Sequence, residues 1–103
     1  MLYDKSIAFV HRKLEENKGC ITLFRVTLDG KDDYYLSFGD DAVIIRDTTG
    51  FIAGFHDLNT SRYGKPWYNN SFHQSELDFV LSKLENRKVV IIEATSVLNP
   101  NNL

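Results

Sequence analysis

A chain of 103 residues, 43% hydrophobic and 25% charged, suffices for one domain around one core and would starve a second. Its formal net charge of −2 sets up no overall field that attracts nucleic acid, and no segment approaches the ~18 apolar residues of a membrane span. The single cysteine, Cys20, excludes an internal disulfide, and the opening MLYDKSIAFVHRK lacks the basic-then-apolar order of a secretory signal, so a soluble protein in a reducing cytoplasm is expected.

Between Tyr3 and Lys18 the apolar residues Tyr3, Ile7, Val10 and Leu14 line one face of a helix, and Gly19 supplies its stop. Cys20 to Leu28 is rich in β-branched and aromatic residues, which predicts a strand, and Asp29-Gly30 is a hairpin-turn signal because both positions tolerate positive φ. The returning strand is Asp33 to Phe38, with Tyr34, Leu36 and Phe38 on one face. Gly39-Asp40-Asp41 then reads as a turn into a third strand, Ala42 to Arg46, and 47–50 as a loop into a fourth, Phe51 to His56, weakened by Gly54. Leu58 to Phe72 has no regular period. Leu77, Val80, Leu81 and Leu84 restore a helical stripe, started either by Ser75 with Asp78 or by Ser71 with Gln74.

Lys88 to Thr95 contains Val89-Val90-Ile91-Ile92, a run without polar alternation that predicts an interior strand covered on both faces. The expected fold class is α+β: a single domain over 1–103, in the order helix, four-stranded antiparallel meander, helix, strand. A crossover through the second helix makes the last strand parallel, so the central sheet is mixed and packs against two helices, with 99–103 a flexible tail.

Catalytic signatures are weak. His56 and Asp57 are adjacent, so a strand points them to opposite faces, and Cys20 reads as a small buried hydrophobe rather than a nucleophile. His11, His56 and His73 lack the spacing of metal ligands, the short acidic turns lack that of a calcium loop, and no glycine-rich phosphate loop is present. No cofactor, no metal and no enzymatic activity are expected. The alternative is a small enzyme or ligand-binding domain with a pocket between the sheet and the 59–72 loop, using His56, His73 or Tyr68.

Two stretches exceed what packing requires. Between Asp29 and Asp57 seven acids face two bases, Lys31 and Arg46, and a meander brings the 29–33 and 47–50 turns to the same end, making Asp29, Asp32, Asp33 and Asp47 an acidic rim. Turn chemistry alone accounts for a single aspartate there, because its carboxylate accepts from nearby backbone amides. The segment RYGKPWYNN places Arg62, Tyr63, Trp67 and Tyr68 together, residue types enriched at binding hot spots, although Trp67 also suits a lid over the core. Stacking of single-stranded nucleic acid on these aromatics is disfavoured by the acidic middle of the chain.

A compact α+β chain with acid-rich turns such as DGKDD and FGDD, an aromatic loop RYGKPWYNN and no catalytic constellation resembles small bacterial toxin-immunity proteins. Those that neutralise the C-terminal toxins of contact-dependent growth inhibition systems are the nearest in format. The resemblance implies a cytoplasmic, non-catalytic inhibitor that forms a 1:1 complex with a cognate toxin domain, often a nuclease, through protein–protein interaction. A phage-encoded inhibitor of a host defence protein has the same format. The partner-binding residues expected on this reading are Asp29, Asp32, Asp33, Asp47, Arg62, Tyr63, Trp67 and Tyr68; membrane contact is not expected.

Overall fold

The computed structural model describes residues 4–51, 54–56 and 67–98, with residues 4, 5, 54–56, 67 and 68 described by their backbone alone. Helix α1 (Asp4–Glu16) buries Ser6, Ile7 and Val10 and is followed a turn later by Gly19, whose φ of 93° is the left-handed conformation that stops a helix without a Cβ penalty. Strands β1 (Ile21–Leu28) and β2 (Asp32–Phe38) form the expected hairpin, Phe24 opposite Leu36 and Leu28 opposite Asp32.

The expected third strand is a helix, α2 (Asp40–Thr49). Its signals are those of a helix start and stop: Asp40 and Asp41 lie in the first turn, where carboxylates complement the helix dipole, and Gly50 closes it with φ 83°, its N–H donating to the Arg46 carbonyl at 2.9 Å. Ala42 and Ile45, three apart, are the residues it buries. Asp41 also ties α2 to the sheet, its Oδ2 accepting from the buried Thr22 N–H at 3.0 Å. Desolvation raises the Asp41 pKa above the ordinary aspartate value, an effect reinforced by Asp40 and opposed by the Thr22 hydrogen bond and by Arg87.

Strand β3 is Gly54–His56, within the expected fourth strand. Strand β4 (Trp67–His73) occupies the end of the stretch expected to be irregular; alternation along it buries Asn70 and Phe72 while Ser71 is exposed, so polar residues on both faces hid the pattern. A 3₁₀ turn (Gln74–Glu76) leads into α3 (Leu77–Lys83), then β5 (Val89–Glu93) and α4 (Thr95–Leu98). The cap of the turn is His73 rather than either expected serine, its side chain accepting from the Ser75 N–H.

These strands form one five-stranded mixed sheet in the order β3-β4-β2-β1-β5, antiparallel except for the parallel β1–β5 pair. The fold is α+β, as expected, but the meander is not formed: β4 inserts beside β2, and the parallel crossover runs from β4 through α3 to β5. Helices cover both faces. Phe24 and Val26 of β1 pack with Ile7 and Val10 of α1 and Leu98 of α4, whereas Ile21 and Leu23 join Ile45 of α2, Val80 of α3 and the following Leu84. On this second side Tyr35 stacks on its cross-strand neighbour Phe72, ring centroids 5.6 Å apart.

Strand β5 is not interior. It ends the sheet, with Ile91 40% exposed, and the strand buried continuously over four residues is β1. An unbroken apolar run reports coverage of the two faces, which β5 has only in part, through the half-buried Val89 on one side and Ile92 on the other. It carries no information about whether a neighbour lies alongside. Among the described residues no helix is long and apolar enough to cross a membrane. The expected tail, 99–103, lies outside the described residues.

Candidate functional site

The acid-rich hairpin is built by backbone geometry. Asp29 and Gly30 take φ values of 55° and 65°, and the Lys31 N–H donates to the Leu28 carbonyl at 3.0 Å, which is the doubly left-handed turn that matches the twist of an antiparallel pair. Asp29 is exposed and serves the turn.

Asp32 and Asp33 are braced by β4 and its cap. Asp32 Oδ1 lies 3.0 Å from His73 Nε2, and the Asp33 N–H donates to Gln74 Oε1 at 2.6 Å. The Asp33 carboxylate accepts from the Thr27 hydroxyl across the hairpin at 2.6 Å. His73 Nδ1 accepts the Ser75 N–H at 3.1 Å, so the proton of the neutral ring sits on Nε2 and is donated to Asp32. Tyr34, opposite His73, meets the imidazole edge to face at 5.2 Å.

Asp32, His73 and Ser75 are the residue types of a hydrolase triad, with Ser75 Oγ 2.9 Å from Nδ1. A base that activates serine needs its nitrogen lone pair free for the hydroxyl proton. Here that lone pair already receives the backbone N–H of the same serine, within one turn of helix. The arrangement is a helix cap braced by a carboxylate. Among the described residues no three His, Cys, Asp or Glu side chains converge as metal ligands. Cys20 is half-buried before β1, not the fully buried hydrophobe expected.

The brace anchors one end of an open half-face. The core under α1 and α4 draws on β1, β2 and β5 but, among the described residues, on none of β4. Two columns run there in register: Phe38 opposite Asn69, Leu36 opposite Ser71, and Tyr34 opposite His73. Phe38 is buried and, with Leu36, belongs to that core; Ser71 is exposed, and Tyr34, Asn69 and His73 are intermediate, so the accessible part of the face is mainly polar and includes the edge of Tyr34.

Of the expected partner-binding residues, Asp29, Asp32 and Asp33 lie together at the hairpin. Asp47 loses the argument that grouped it with them, because 40–49 is a helix on the other face of the sheet, where Asp47 is exposed and bonded to Arg46 at 3.1 Å. Trp67 and Tyr68 begin β4, opposite His56 and Phe55 of β3. At the rise of an extended strand, Trp67 is about 20 Å from His73, so aromatics and acids bracket the strand instead of adjoining. Arg62 and Tyr63, with Asp57 and the rest of the 59–66 stretch, lie outside the described residues. Thr27, Tyr34 and Gln74 join the site without having been expected there; the β1–β2 register places Thr27 and the β2–β4 register the other two.

Compared with known proteins, the chain matches no family model, no curated protein and no solved structure.

Proposed function

We propose that the protein is a non-catalytic inhibitor that binds another protein through the open β2–β4 half-face and the acidic hairpin, acting as an immunity protein toward a cognate bacterial toxin. The observation that supports this reading is the brace itself. Asp33 is held by Thr27 and Gln74 and Asp32 by His73, so the face is ordered before any partner arrives, and a preordered surface loses little entropy on binding. Acids at the rim steer a basic partner, and the aromatic start of β4 supplies anchors at the far end. The resemblance in format to immunity proteins names the class of partner. The test is co-expression with the toxin domain encoded beside the gene: the chain should restore growth and form a 1:1 complex with it. A folded chain that neither protects nor binds would refute the reading, and protection of a phage from a host defence protein would point to the other inhibitor class.

A further inference from the structure

Strand β5 forms one edge of the sheet, with no strand beyond it among the described residues. The Lys88 carbonyl accepts from Ile21 at 2.8 Å and the Ala94 N–H donates to the Arg25 carbonyl at 2.9 Å, so the even-numbered backbone groups of β5 face β1. N–H and C=O groups alternate sides along a strand, which turns those of Val89, Ile91 and Glu93 outward. Among the described residues none pairs with them, because the sheet ends at β5. Natural edges are usually blunted by proline, inward-pointing charge or a bulge. Residues 89–92 are instead all β-branched, and among the described residues Ile91 is one of two large hydrophobics exposed beyond a third of their surface.

We propose that two copies of the chain associate by antiparallel pairing of β5 with β5, joining the two sheets edge to edge about a twofold axis at Ile91. Charge selects this orientation and this partner. The strand is preceded by Arg87 and Lys88 and ends on Glu93, whose Oε2 already pairs with Arg25 of β1 at 2.9 Å, so an antiparallel copy adds a second base beside that acid at both ends, whereas a parallel copy opposes like charges. Register follows from the bonds already made. Centring on Ile91 pairs Val89 with Glu93 of the other copy and uses only residues within β5, while a shift centred on Val90 recruits Arg87, whose N–H is already donated to the Leu84 carbonyl at 2.8 Å. The exposed Ile91 side chains then meet on the face shared with α2 and α3. The resulting ten-stranded sheet is within the usual limit of about ten for a twisted sheet. The open β2–β4 half-face is separated from this edge by β1, so each copy keeps its partner-binding surface.

The interface is small, and the association is therefore of the weak class that concentration reveals. Sedimentation equilibrium from micromolar to millimolar protein should give a monomer–dimer curve. Ile91→Lys opposes two like charges at the axis and should weaken association by at least roughly tenfold. Arg87→Glu should weaken it less, and in a salt-dependent way. Hydrogen exchange of the Ile91 amide provides a test without substitution: it should slow as concentration rises, while amides of β2 do not change. A monomer throughout the range, a dimer unaffected by Ile91→Lys, or an Ile91 amide that exchanges at the same rate at every concentration would each overturn the proposal.

Discussion

Asp41 is the carboxylate on which two properties of the fold meet, and its replacement separates them. Its Oδ2 is the acceptor for the Thr22 N–H, on a residue with no exposed surface, at the point where the β1–β2 ladder has ended and α2 begins. Asp41→Ala removes that acceptor and leaves a buried donor unpaired, which costs about 1–3 kcal/mol. For a domain of this size each kcal/mol moves the melting temperature by roughly 4–8 °C. Asp41→Asn keeps an oxygen in place and removes only the charge. Because desolvation raises the Asp41 pKa, the native state holds the proton more tightly than the unfolded chain. Stability linked to this group is therefore fully present below the ordinary aspartate value of 3.8 and declines as pH rises through the window up to the raised value.

Asn should match or exceed the wild type at neutral pH, Ala should fall below both, and the advantage of Asn should vanish at acid pH. Urea denaturation of the three proteins across that range measures all of this. If Asn is as destabilised as Ala at neutral pH, the ionised carboxylate is worth more at the α2 N-terminus and beside Arg87 than its desolvation costs, and the reasoning fails.

His73→Ala should cost about 1 kcal/mol in urea unfolding through loss of the cap, while His73→Asn should retain most of it. Phe72→Ala, which removes the ring stacked on Tyr35, should cost about 3–5 kcal/mol and lower the melting temperature sharply. Glu93 has its pKa lowered, chiefly by the Thr95 hydroxyl, so its contribution to stability is present above the ordinary glutamate value of 4.5 and lost as pH falls through the lowered one; Glu93→Gln should flatten that acid limb in a pH titration of stability. With a partner in hand, Asp32→Asn with Asp33→Asn should slow association in surface-plasmon kinetics, with the deficit shrinking at high salt, whereas Tyr63→Ala or Tyr68→Ala should speed dissociation by the equivalent of about 1–3 kcal/mol.

Local signals carried the first third of the chain. The α1 stripe, the Gly19 stop and the Asp29-Gly30 turn each depend on residues a few positions apart; the turn formed where the pattern placed it, the helix ends at Glu16, a turn before Gly19, and Tyr3 of the stripe lies outside the described residues. Ala42–Ile45 and Val89–Ile92 read alike as apolar, β-prone runs, yet one is helical and the other a strand. What differs is the flanks. Two acids in the first turn complement the dipole of 40–49 and Gly50 caps its end, and buried contacts three residues apart hold it as a helix.

The site was less legible for a reason of distance. Asp32 and His73 are 41 residues apart, and no composition or period within either segment indicates that β4 lies beside β2. Read separately, Asp32 is a turn acid and His73 a residue near a helix start; read in register, one fixes the tautomer of the other. That also decides how the acidic hairpin should behave. Of its three aspartates, Asp29 shapes the turn and Asp33 is half-buried against Thr27, whereas Asp32 is exposed and oriented by His73, which makes its second carboxylate oxygen the acceptor best placed for a partner's cation. If the hairpin steers association, Asp32→Asn alone should account for most of the slowing produced by the double change, and an equal share from Asp33 would mean that net charge at the rim, not a placed carboxylate, does the steering.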